Sequence, residues 1–315
     1  MVPFIARRFV VLVLTLLAVS VLCFALPYMS EGDPARSILR ARVSDLAIDP
    51  DAVEGLKARY GLDRPLPVQY ASWIANVARG DFGYSFANRM PVGDQIGSAL
   101  WVSATLALTS LAIAIVVAFP LGTVAAVRPG GRADNVVTIV TQSLVALPEY
   151  WLGPLAILVF ALHLGWLPSA GWLEPSHIVM PACVLALRPL AYFTRVARAS
   201  MLDVLNASYM VAARSRGLSV AQSIVAHGLR NATPPVMTLF GIWLAGLMGG
   251  AVVIEVIFAI PGMGRLVYSA VVNHDIPLLQ AGVVCIVALA VAINTMADLL
   301  YLALNPALRV SRHAA

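Results

Sequence analysis

Charge is what this sequence has least of. Only 12% of its 315 residues are Asp, Glu, Lys or Arg, and lysine occurs once, at Lys57. A soluble domain carries about 25% charged residues, so a water-facing surface over the whole chain is excluded. The single lysine excludes more. A phosphate-binding loop needs a glycine-rich turn ending in Lys and then Ser or Thr, whereas Lys57 is followed by Ala58. Without that motif, transport against a gradient must draw on another subunit or on an ion gradient. Cysteine is almost as scarce. Cys23, Cys183 and Cys285 lie in or beside apolar runs with no CxxC pair, which fits packing residues and not a disulfide framework. The five histidines form neither HExxH nor a Cys/His cluster, so no metal site is expected; His163, His177 and Met180 read as interfacial packing. No GxSxG turn or paired catalytic set is present, and the chain does not read as an enzyme.

Apolar length is what the sequence has in excess. Hydrophobic residues make up 60% of the chain, and mean hydropathy is +0.85. A hydrocarbon core of about 30 Å needs roughly 20 mainly apolar helical residues per crossing. Six runs meet that requirement, at 9–29, 98–127, 136–166, 177–196, 235–258 and 280–304. The fold class is therefore all-α and membrane-embedded, with six transmembrane helices. Two runs exceed one crossing, and Pro120 and Pro148 mark expected bends. Arg7 and Arg8 precede the first run in the manner of a signal peptide, but its length and the lack of a small-residue cleavage site favour a retained helix.

Arginine placement sets the expected orientation. With the amino terminus inside, Arg128, Arg132, Arg195, Arg198, Arg214, Arg216, Arg230, Arg309 and Arg312 join Arg7 and Arg8 on the cytoplasmic side, with Arg265 the exception among the short external loops. Both termini then face the cytoplasm. The formal charge of +5 is explained by anionic lipid headgroups and needs no nucleic acid. The expected organisation is a first helix over 1–29, an external insertion over 30–97, a core over 98–306 and a cytoplasmic tail over 307–315. The insertion includes a short amphipathic helix in DPDAVEGLKARYGLD (49–63), then a second helical stretch and a glycine-rich turn in RPLPVQYASWIANVARGDFGYSF (64–86).

Between the fourth and fifth runs the oil is interrupted by a polar loop, 199–234. Tyr209 to Arg216 favours helix, Gly217 supplies a stop, Ser219 can cap a second helix, and Pro234 and Pro235 are expected to end it. Val220, Ile224 and Gly228 share one face, leaving Gln222 and Arg230 on others. Composition alone fits either a surface hairpin lying on the bilayer or a docking element for a partner.

At this loop the chain resembles the permease subunits of ATP-driven importers, whose "EAA" signature is matched by Ala212, Ala213 and Gly217, with Val211 at the acidic position. GDFGYSF (80–86), TRVARASMLDVL (194–205), GLRNATPPV (228–236), EVIFAIPGMGRLVYSAVVNHDIPLLQ (255–280) and ADLLYLALNPALR (297–309) narrow the resemblance to the peptide and nickel permeases. It implies the type I importer permease fold in the cell inner membrane. The implied assembly has a second homologous permease subunit, two cytoplasmic ATPase subunits that use ATP, and an external solute-binding protein; no cofactor is bound by this chain. The resemblance also implies that the turn from Tyr209 through Ala212, Ala213, Arg214, Arg216 and Gly217 inserts into a groove of the ATPase. Di- or oligopeptides are the expected solutes, with nickel or a nickel chelate the alternative. An ion-coupled secondary transporter would explain the spans but not the docking loop, and the inverted repeats usual in that class are not evident.

Two ionisable residues fall within apolar runs. Glu149, beside Pro148, and Arg188, beside Pro189, are expected at similar depth on neighbouring spans. Each costs at least about 2.5 kcal/mol at mid-bilayer, so they either form an ion pair locking the spans or line the solute path. Glu255 and Asp298, nearer span ends, need only packing or assembly roles. In AIPGMGRL, Pro261, Gly262 and Gly264 mark a break after the fifth run, read as a tight loop or part of an outer gate.

Overall fold

The computed structural model describes residues 2–29 and 63–304, and among them every regular element is helical. In chain order these are α1 (Val2–Met29), α2 (Leu66–Ala78), α3 (Val92–Val127), α4 (Arg132–Ala146), α5 (Glu149–His163), α6 (Ser176–Leu205), α7 (Ser208–Ser215), α8 (Val220–Gly250), α9 (Val252–Ile257), α10 (Met263–Val272) and α11 (Ile276–Leu304). Five are long and apolar enough to cross a membrane, and α4 with α5 makes a sixth, broken span. The helix expected within 49–63 and the tail 307–315 lie outside the described residues.

The third span bends at Pro148, as expected, and the bend is a full break: α4 and α5 meet there at 96°. Proline clashes with a helical residue before it, so Leu147 turns extended (φ −81°, ψ 124°) and Pro148 becomes the residue from which α5 starts. Pro120, by contrast, sits inside an unbroken α3. The expected stop at Pro234 and Pro235 is also absent, since α8 runs through both, with a π-helical stretch over Ile224–Gly228 before them. In hydrocarbon no water can satisfy an unwound backbone. Losing two amide donors costs less there than leaving a whole turn unpaired.

The chain divides into two compact units, Met1–Ser103 with Pro261–Ala292, and Ala104–Ile260 with Ile293–Ala315. In the first, α1 packs on α2 through Phe24, Tyr70 and Trp73, and Val92, Ile96, Ala99, Met263, Ala270 and Leu278 form a buried core. The loop between α2 and α3 docks on Asp275. This buried carboxylate accepts hydrogen bonds from the Ser85 hydroxyl, the Phe86 N–H (3.1 Å) and the Ala87 N–H (3.4 Å).

In the second unit α6 is the hub, packing against α4, α5, α7, α8 and α9. Small residues make these contacts close. A Cβ at Gly122 of α3 would lie 2.8 Å from the Thr194 carbonyl and 2.9 Å from the Arg198 nitrogen of α6. One face of α6 is consequently buried over much of its length, with Leu185, Phe193, Ala197 and Met201 among its core residues.

Candidate functional site

The polar loop forms a helix, a tight turn and a helix, as its sequence requires. Helix α7 ends where the Leu218 N–H reaches back to the Ala213 carbonyl (3.3 Å), with Gly217 in the left-handed region at φ +96° that a larger residue resists. Helix α8 then starts with a reciprocal cap. The Gln222 N–H donates to Ser219 Oγ, and the Ser219 N–H donates to Gln222 Oε1.

The hairpin has two faces. Met210, Ala213, Ile224 and Ala232 are buried with Met201 and Val204 of α6 and Ala126 of α3. This welds the hairpin to the end of α6. Tyr209, Ala212, Arg214, Arg216 and Gly217 are exposed, as are Val211 (56%) and Val225 (71%). A groove of about 640 Å³ opens on this side, lined by Arg216, Gly217, Leu218, Gln222 and Val225 among others. Ala213 is thus an anchor of the hairpin and not part of its exposed surface. Arg216 is partly engaged as well, its Nε donating to the Ala212 carbonyl (3.3 Å) at the negative end of α7.

Of the two intramembrane charges, Glu149 falls not mid-helix but in the first turn of α5. The helix dipole there favours a carboxylate by about 0.3–1 kcal/mol, less than the insertion cost, so a further partner or water is required. Arg188 lies on the neighbouring helix: α5 packs on α6, and the Glu149 side chain is half-buried. No hydrogen bond or ion contact within 4.0 Å joins this pair among the described residues. Arg188 is itself exposed in this chain and heads a row on α6. Tyr192 and Arg195 follow at i+4 and i+7, with Tyr192 against Trp243 (centroids 5.4 Å) and the Arg195 guanidinium 5.8 Å from the Tyr192 ring. Helical spacing alone would have revealed this polar and aromatic row, which reading Arg195 only as a topology marker concealed.

At the break after the fifth span, the left-handed residue is Ala259 (φ +51°), not a glycine. Gly262 is extended and begins α10, and both Gly262 and Gly264 are buried while Pro261 is exposed. The Met263 N–H donates to Ser103 Oγ (2.8 Å), fixing the start of α10. Asp134, which sequence reasoning passed over, pairs with Arg198 through two short contacts. An acid in the first turn after Gly130 and Gly131 was the available signal.

Comparison with known proteins agrees with this architecture. Residues 118–310 match the family described as binding-protein-dependent transport system inner membrane component, and residues 1–109 match the N-terminal part of such membrane components. The glutathione transport system permease protein GsiC of Escherichia coli is 37% identical over 309 residues, covering 98% of this chain and 99% of that protein. The protein of the same name from Shigella flexneri matches with the same identity and coverage. Among solved structures, an inward-facing MetNI methionine ABC transporter superposes with a TM-score of 0.56 at 20% identity, covering 67% of this chain and 96% of that chain, a likeness of fold. The chain therefore belongs to the binding-protein-dependent transport system inner membrane components, the multi-pass permease subunits of ATP-binding-cassette importers.

Proposed function

We propose that this permease translocates small peptides, glutathione-like tripeptides included, across the inner membrane as half of a pathway completed by a second homologous permease subunit. Two cytoplasmic ATPase subunits supply the energy, and an external solute-binding protein delivers the solute. The observation that carries this reading is the two-faced hairpin, rooted in α6 on one side and offering an apolar groove edged by Arg216 on the other. Such an element converts movement of a docked partner into movement of membrane helices. Both termini and the hairpin lie in the cytoplasm, following the arginine distribution.

Glu149 and Arg188 line the path, where opposite charges suit the amino and carboxylate groups of a peptide zwitterion. Tyr192 and Arg195 extend the same lining. Pro261, Gly262 and Gly264 contribute to the outer gate at the start of α10. The 37% identity to a glutathione permease over nearly the whole chain favours peptides over nickel as solute.

Reconstitution in proteoliposomes with co-purified partner subunits tests the proposal. Uptake of labelled glutathione or dipeptide is expected only with ATP inside the ATPase-bearing compartment. Uptake driven by a proton or sodium gradient without ATP overturns it, and uptake of nickel but not peptide replaces the solute assignment. Glu149→Gln and Arg188→Gln are expected to change transport of charged and neutral peptides unequally. A uniform loss assigns the two residues to a structural role instead.

A further inference from the structure

Taking the hairpin as the ATPase contact, we propose that the Asp134–Arg198 ion pair is a positioning clamp that carries hairpin movement into the broken α4–α5 span. The pair is well built for that purpose. Arg198 Nε lies 2.5 Å from Asp134 Oδ1 and Nη2 lies 2.6 Å from Oδ2, the two-pronged arrangement that fixes the plane of both groups. Asp134 Oδ2 also accepts the Gly130 N–H at 2.8 Å, so the turn before α4 and the first turn of α4 are held by one carboxylate.

The neighbours of the clamp are closely packed. The Arg198 backbone abuts Gly122 of α3, and three residues further along α6, Met201 packs with Met210 and Ile224 of the hairpin. A displacement of the hairpin therefore moves Arg198. Packing alone would let α4 and α6 slide past one another; a two-pronged ion pair resists sliding, because small offsets break both contacts. The motion is passed to α4 and reaches the 96° break at Leu147 and Pro148, immediately before Glu149. The two ends of the unit, hairpin groove and path carboxylate, are thus joined through named contacts.

Burial makes the clamp asymmetric. The Asp134 side chain is 5% exposed and that of Arg198 31%. Removing Arg198 strands a buried carboxylate, whereas removing the Asp134 charge leaves an arginine that water can reach. Arg198→Gln is accordingly the more damaging change.

The test uses the full transporter in proteoliposomes, measuring solute uptake and ATP hydrolysis per assembled complex. Arg198→Gln is expected to lower uptake per ATP hydrolysed by about tenfold, with Asp134→Asn lowering it less and the double variant no worse than Arg198→Gln. ATPase subunits should co-purify in normal amounts and still hydrolyse ATP. The nearly isosteric Asp134→Asn carries the test if Arg198→Gln does not assemble. Unchanged uptake per ATP in the variants that assemble overturns the clamp, as does a loss of uptake that only tracks the amount of complex assembled. Failure of the underlying reading is seen separately, as a wild-type chain that co-purifies no ATPase or transports without ATP.

Discussion

Gly122 sets how closely α3 can approach α6. A Cβ there would fall 2.8 Å from the Ala197 Cβ, 2.8 Å from the Thr194 carbonyl and 2.9 Å from the Arg198 nitrogen, and two of those three atoms are backbone that cannot rotate away. Gly122→Ala must therefore part the helices, at a cost of about 1–3 kcal/mol typical of overpacking. Gly246 on α8 meets nothing within 4 Å, so Gly246→Ala removes only a poor helix former and is expected to stabilise or leave the protein unchanged. Thermal midpoints of the two variants in detergent check the contrast: a lowered midpoint for Gly122→Ala alone is expected, and equal midpoints refute the close crossing. The two glycines look alike in sequence, each in an apolar run. Contact across space separates them, and no local pattern records that. Gly217 was legible for the opposite reason, since its left-handed turn is dictated by the residues on either side of it. Asp134 sits between these cases: its place in a first turn is visible in sequence, but its partner is 64 positions away.

Six apolar runs were readable as elements because the bilayer imposes one length and one hydrogen-bonding solution on each. Their internal course was not, because proline acts differently by context. At Pro148 the preceding Leu147 is released to extended geometry and the span breaks; at Pro120, Pro234 and Pro235 tertiary packing and the lack of water hold the helix through. The break is what places Glu149 at a helix start. Pro148→Ala restores an amide donor and lifts the restriction on Leu147, so α4 and α5 are expected to straighten toward one helix. Spin labels at Ile139→Cys and Leu155→Cys, both exposed positions, report this after Cys23, Cys183 and Cys285 are replaced. A straight helix separates those positions by about 24 Å, and a right-angled break by roughly 17 Å. The distance should lengthen in Pro148→Ala, with uptake reduced. An unchanged distance would mean that packing on α6, and not proline, sets the bend.

At the scale of the whole molecule, the open question is which side of the membrane holds the hairpin, and one scarcity in the sequence answers it. Lys57 is the only lysine and falls in the proposed external insertion, outside the described residues. Its ε-amino group is the single side-chain primary amine in this sequence for an impermeant acylating reagent, and peptide mapping separates it from an amino-terminal amine. If arginine placement governs topology, Lys57 is modified from outside in intact spheroplasts and protected in inverted vesicles. Moving the single lysine makes the experiment self-controlled. With Lys57→Arg and Arg214→Lys together, net charge is kept while the reactive amine passes to an exposed position on the hairpin. Modification of that site should then occur only in inverted vesicles, and, with the ATPase subunit docked on the hairpin as proposed, saturating amounts of it should protect the site. Labelling of both positions from the same side would place the hairpin with the external insertion and leave the ATPase nothing to grip. Labelling from opposite sides without protection would keep the topology but move the ATPase contact away from Arg214.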